Sequence, residues 1–180
     1  EQLLASCDDT LRGLRDRAIL MLGFGSGGRR RSEITSLHHA DIGTEDYAAK
    51  GLIWVRLLET KTTGPGDAPR LPLKGRAARA VMGWIEAAQI TTGALFRPIS
   101  LSGRALPRKL APDALRVILR HRLGLAGLPL NYVTPHGLRA GRRRRGPSSP
   151  SPRPRRRRRR GWLQHRRPAL LGTPAASHGL

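Results

Sequence analysis

The sequence is poor in four things, and each shortage closes a class of proteins. It has one cysteine, Cys7, so no internal disulfide and no cysteine-built zinc cluster can form. No apolar run approaches the roughly 18 residues of a membrane span, and no signal-peptide pattern opens the chain. Aromatic residues are scarce, with only two tyrosines, Tyr47 and Tyr132. Acids are scarce too: 12 Asp and Glu stand against 34 Lys and Arg, a formal net charge of +22 over 180 residues. Such an excess points to a polyanionic partner, most simply nucleic acid. The chain opens on Glu1 rather than Met, which leaves room for an upstream part.

The charge is uneven. Residues 141–180 hold 13 arginines and neither lysine nor acid, leaving residues 1–140 with a net +9. In that last stretch 28 of 40 residues are Arg, Pro, Gly or Ser, a composition that cannot offset the entropy of ordering. The expected organisation is a domain over 1–140 and a disordered, low-complexity Arg/Pro-rich tail over 141–180.

Within the domain, Asp8, Asp9 and Thr10 are good helix caps, and Leu11, Leu14, Ala18 and Leu22 share one helical face. They predict an amphipathic helix over 10–22, broken by the glycines from Gly23 to Gly28. A short helix is expected over 31–38, with Ile34 and Leu37 inward. Residues 51–59 read as a strand, 61–69 as a hairpin turn, and Arg70 to Leu73 as the returning strand. A helix over 76–89 buries Ala77, Val81, Trp84, Ile85 and Ala88. Pro112 suits the first turn of another, with Leu115, Ile118, Leu119 and Leu123 as its stripe. Thr134-Pro135 announces a further helix from His136. The fold class is α+β: mainly helical, with a small antiparallel sheet from about 42 to 73.

Four short patterns carry chemistry. Gly23-Phe24-Gly25-Ser26-Gly27-Gly28 fits G-x-G-x-x-G, but a helix precedes it and no βαβ unit follows, so a glycine turn between helices is the better reading. Arg29-Arg30-Arg31-Ser32-Glu33 offers guanidinium forks for a phosphate beside a helix start, whose amides add donors. As a bland alternative, it is a basic helix start with Ser32 and Glu33 as ordinary first-turn residues. Lys61 sits in the polar hairpin, where a lysine serves solubility or donates a proton to a leaving oxygen. His136 and Arg139 are three apart, so on a helix they share a face, one group able to move protons and one fixed as a cation. His38 and His39 are adjacent, diverge on a helix, and read as surface.

Taken together and in order, RDRAILMLGFGSGGRRRSEI, TKT, RLPLKGRAARAV, LFRP and TPHGLRAG resemble the catalytic domain of tyrosine recombinases, the phage-integrase family, from about Leu11 to Ala140. The resemblance implies a mainly helical domain that grips double-stranded DNA, and breakage and rejoining of DNA through a phosphotyrosine. It gives Arg30 and Arg139 the non-bridging oxygens of the phosphate. Lys61 becomes the general acid for the 5′ oxygen, and His136 assists proton transfer to or from the nucleophile. No cofactor and no metal are needed. Location at DNA in a bacterial cytoplasm is implied, and family members assemble as tetramers on DNA.

Beyond the second arginine the resemblance ends. The family places a histidine or tryptophan there and then the nucleophilic tyrosine. Trp162 falls at the first place, without the glycine-histidine turn that surrounds it in the family, and Leu171 falls at the second. Both tyrosines of this sequence precede Arg139. The helix that family members share between protomers, and the domain that closes the clamp around DNA, are not found in the sequence. Two readings of the tail follow. One is a shifted reading frame from about residue 141, motivated by the abrupt switch to Arg, Pro, Gly, Ala and Ser, whose codons are rich in G and C. The other is an authentic basic tail binding nucleic acid by counterion release. The corresponding activities are a recombinase domain inactive for want of a nucleophile, and a non-catalytic basic DNA-binding protein.

Overall fold

The computed structural model describes residues 1–56 and 69–132. All of them lie in one unit of the chain, Glu1–Pro147. Six α-helices and three strands are described: α1 Gln2–Ala5, α2 Leu11–Gly25, α3 Arg31–Thr35, α4 Tyr47–Lys50, α5 Arg76–Ala87, α6 Ala114–Leu125, β1 Ile42–Gly43, β2 Leu52–Arg56 and β3 Arg70–Lys74. The architecture is the α+β one expected from the pattern. Among the described residues no helix is long and apolar enough to cross a membrane.

Helix α2 begins where the caps predicted. The Thr10 hydroxyl accepts the Gly13 N–H at 3.2 Å, satisfying one of the free amides of the first turn. Ala18, Ile19 and Leu22 then enter the main core. The helix outruns its expected end and continues through Gly23, Phe24 and Gly25. A Cβ on Gly25 would lie 2.5 Å from Leu73 Cδ1, so this glycine lets α2 lie close against β3. The real break comes at Gly27 and Gly28, both with positive φ. Half of the apparent glycine loop is thus a packing surface.

The sheet is antiparallel in the order β1-β2-β3. Ile53 pairs with Leu73, and Val55 with Leu71 and Ile42. Period-two alternation puts Ile53, Val55 and Leu73 in the core and turns Trp54 and Arg56 outward. Pro72 cannot donate to a ladder, and β3 is an edge strand of this sheet. The outward face is polar: Trp54 Nε1 donates to Asp46 at 2.8 Å, and Arg70 lies over the Trp54 ring. Two short helices, α1 and α4, were not expected, because four residues are too few to show a period.

Helix α5 buries Ala77, Val81, Trp84 and Ile85 as its spacing predicts, and ends at Ala87. Trp84 is wholly enclosed, and its indole N–H donates to the Leu95 carbonyl at 2.8 Å. The stripe of α6, Leu115, Ile118, Leu119 and Leu123, is buried as expected. Leu119 and Leu123 pack with Leu3, Cys7 and Leu20 in a second small core. Each such side chain contributes about 1.5–3 kcal/mol of transfer free energy when removed from water.

Between the two cores lies a buried ionic network that apolar spacing does not reveal. Asp16 on α2 receives Arg15 Nε and Nη2 on one oxygen, at 2.9 and 2.7 Å. Its other oxygen receives Arg122 Nε of α6 at 2.8 Å. Arg122 Nη1 also donates to the Ser6 carbonyl at 2.6 Å. All three side chains are nearly inaccessible.

Candidate functional site

Three consecutive arginines follow the glycine turn, and the fold treats each differently. Arg31, the first residue of α3, reaches across to Asp113 at the start of α6, with Nη1 to Oδ1 at 2.8 Å. Arg29 is half-buried, with its Nε enclosed and without a hydrogen-bond partner. Arg30 is the exposed one, its side chain 73% accessible. So the most exposed guanidinium of the three is the middle one.

Glu33 holds Arg30 in place. Its Oε2 accepts the Arg30 backbone N–H at 3.0 Å, while Oε1 stands 3.9 Å from the Arg30 Nε. Arg30 occupies the N-cap with extended φ and ψ, and the carboxylate three residues on closes the turn back onto it. The sequence gives Glu33 no role beyond that of an ordinary first-turn residue in the bland alternative. The usual signal, Ser, Thr, Asp or Asn three residues before Glu, is absent because arginine fills the cap. The expected helix over 31–38 shortens to Arg31–Thr35. Leu37 is still buried, and His38 instead forms a β-bridge with Ala94. Five residues make a weak dipole, so the side chain of Arg30 rather than a helix end is the cationic feature here.

Asp113 is a second residue that local reading misses. Its partner lies 82 positions away, and only the folded chain brings the start of α6 beside α3. Arg30 is therefore carried on a short helix tied by an ion pair to a longer one.

Of the other sequence-derived candidates, Lys61 lies outside the described residues, as do His136, Arg139 and Trp162. The strands that flank the Lys61 segment are described, and Arg56 and Arg70 face each other at its two ends. Two like charges opposed across strands repel. Here each has its own carboxylate: Asp41 Oδ1 accepts Arg56 Nε and Nη2 at 3.2 Å, and Glu45 accepts Arg70. A hydrogen bond from its own backbone amide, then the Arg70 guanidinium, holds the Glu45 carboxyl below its ordinary range. His38 is exposed and His39 only partly so. Cys7 is buried, and that burial pushes its thiol up, away from the reactive thiolate.

The chain was compared with known proteins. No family model matches it. An integrase/recombinase xerD homolog of Selenomonas ruminantium is 31% identical over 139 residues, which is 74% of this chain and 40% of that protein. The crystal structure of the XerH site-specific recombinase bound to its difH substrate, a pre-cleavage complex, shares the fold. Its TM-score is 0.53 at 17% identity, covering 78% of this chain and 38% of that one. The chain thus spans about two fifths of the length of the proteins it matches. The ordered motifs, the mainly helical fold with its three-stranded sheet and the shared sequence agree: the chain belongs to the tyrosine recombinase family.

Proposed function

We propose that this chain carries the DNA-phosphate grip of a site-specific recombinase or integrase catalytic domain, and that as written it binds duplex DNA without cutting it. The observation that carries the reading is Arg30: an accessible guanidinium, flanked by one arginine engaged with Asp113 and another whose Nε is enclosed, with its backbone held by Glu33. A fork of this kind matches the two non-bridging oxygens of a phosphodiester.

In the full reaction, Arg30 and Arg139 stabilise the charge that builds on the pentacoordinate phosphate. Lys61 protonates the departing 5′ oxygen and His136 handles the proton of the nucleophile. The nucleophile would be a tyrosine, leaving a 3′-phosphotyrosine link that conserves the bond energy. This sequence offers none at the required place. Tyr47 belongs to α4 and packs against the main core, and Tyr132 precedes His136. We assign the tail from about residue 141 to a shifted reading frame. A coding DNA in which no other frame restores an apolar helix and a tyrosine would overturn that assignment.

Fluorescence anisotropy with a short duplex, over a range of salt, tests the grip. Affinity should fall steeply with salt, and Arg30→Ala should flatten the slope of log K against log salt by about 0.9. No binding at low salt would sink the reading. A suicide DNA substrate should trap no covalent adduct; a phosphotyrosine product would refute the claim of inactivity. The second reading, a non-catalytic basic DNA-binding protein that keeps only DNA affinity, is favoured by the lack of a placed tyrosine. It is separated by restoring the downstream frame and assaying cleavage. Arg139→Ala should then abolish cleavage with little loss of binding if the recombinase reading holds.

A further inference from the structure

Between α5 and α6 the chain makes an excursion that the arginine site does not explain. Its root is fixed. Phe96 and Leu110 are both buried, and the Leu110 N–H donates to the Phe96 carbonyl at 2.8 Å. Further out, the Leu106 N–H donates to Pro98 O at 2.9 Å and the Ser100 N–H to Arg104 O at 2.8 Å. Ile99 and Ala105 form a β-bridge. These rungs make a hairpin standing on the core. Arg97 braces it from below through the Ala94 and Thr92 carbonyls.

The apex is closed and specific. Ser100 Oγ accepts the Arg104 N–H at 3.0 Å and lies 2.9 Å from Ser102 Oγ. Gly103 takes the positive φ that the turn requires. At the apex Leu101 is 105% accessible, so it touches nothing. An isolated exposed leucine is ordinary on a surface. Its setting is cationic. Residues 97–112 contain no acid, and Arg104, Arg108 and Lys109 are exposed with no carboxylate partner among the described residues. Elsewhere Arg17, Arg31, Lys50, Arg56, Arg70 and Arg76 each hold a carboxylate, while Arg12, Lys74, Arg79, Arg116 and Arg120 are exposed with no ion pair among the described residues. At this hairpin three exposed cations without a carboxylate stand beside one fully exposed apolar side chain.

We propose that the hairpin around Leu101 is a second DNA contact, in which Leu101 enters a groove and Arg104, Arg108 and Lys109 take phosphates beside it. The inference rests on the DNA-binding reading above. One apolar side chain ringed by cations is too small for a protein interface core, which removes about 800 Å² per partner from water. It also lacks the broad apolar face of a membrane-surface element. It does fit a duplex, which offers thymine methyls and base steps between two rows of phosphates. Its position agrees: Lys109 is four residues before Asp113, so chain reach keeps it within about 14 Å of the residue tied to Arg31.

The test is anisotropy of the full chain on a short mixed-sequence duplex, with Leu101→Ser and with Arg104→Gln/Arg108→Gln/Lys109→Gln. Leu101→Ser should bind about fivefold more weakly with an unchanged salt slope, since only apolar contact is lost. The triple variant should flatten the salt slope by about 2 to 3. Circular dichroism melts of both should match the parent, because none of these side chains packs in the core. If the parent binds and Arg30→Ala behaves as expected, but both hairpin variants bind like the parent, the hairpin inference falls and the DNA reading stands. If the parent fails to bind DNA, both fall. Loss of co-sedimentation with phosphatidylserine vesicles on Leu101→Ser, with DNA affinity unchanged, would also overturn the hairpin inference.

Discussion

Asp16 is the place where one substitution should cost this protein most. Its carboxylate receives three charged N–H groups, two from Arg15 on one oxygen and one from Arg122 on the other, all between 2.7 and 2.9 Å. All three side chains are enclosed, at 2%, 8% and 3% accessibility for Asp16, Arg15 and Arg122. Asp16→Ala leaves two buried guanidinium groups with no counter-charge. Arg122 keeps the Ser6 carbonyl, and Arg15 keeps a long contact of 3.5 Å to the Arg97 carbonyl. Those oxygens are neutral and cannot replace the carboxylate. Removing one partner of a buried ionic group costs about 3–5 kcal/mol. A domain of this kind holds about 5–15 kcal/mol in total, so the loss is a large fraction of it. Urea unfolding, followed by the fluorescence of the buried Trp84, measures it. The network also joins α2 to α6 across 106 positions of sequence, so its loss should loosen α6 first. The decisive comparison is Arg15→Met/Asp16→Leu/Arg122→Met. Apolar replacement of a whole buried ionic group is often neutral, so this variant should recover most of the loss. A cost below about 1 kcal/mol for Asp16→Ala would refute the reasoning, because it would mean the two arginines escape to water.

Three further outcomes are expected. Gly13→Ala should destabilise by about 1–3 kcal/mol, because the new Cβ would run into the backbone carbonyl of Asp8. Helix propensity alone favours alanine by about 1 kcal/mol, so a stabilised variant in a thermal melt would exclude the clash. Glu33→Ala should cost about 1 kcal/mol through loss of the bond to the Arg30 amide, and Glu33→Gln, which keeps an acceptor, should restore most of it in urea unfolding. Acid should weaken the fold. The Thr10 hydroxyl holds Asp8 below its ordinary 3.8, the Lys50 ammonium does so for Asp46, and Glu45 is held below 4.5. Depressed carboxyls bind more protons when unfolded, so their contribution is present above those values and is lost as pH falls through the folded ones. A urea midpoint that stays flat on acidification through that range would count against these bonds.

Much of this fold could be read directly from the residues. Leu115, Ile118, Leu119 and Leu123 recur at helical spacing, and Ile53 and Val55 at strand spacing. Each set is buried on the face that its period predicts. Periodicity works there because a one-sided element has one way to leave water. It failed at Gly23 and Gly25, where glycine looked like a break. In the fold Gly25 is a point of close approach, which only the neighbouring Leu73 reveals. It was silent on α1 and α4, which are shorter than two turns.

The sequence by itself determined the helical stripes and the small sheet, because these depend on local spacing; Arg30 it singled out as a candidate through the family resemblance. Only the tertiary structure decided what surrounds that arginine. Arg31 is engaged because Asp113 arrives from 82 positions away, and Glu33 is aimed because the turn closes on the Arg30 amide. Likewise Arg15 and Arg122 are buried because one carboxylate meets them both. Pairings between residues distant in sequence carry no local period, and so they become visible only when the chain has folded.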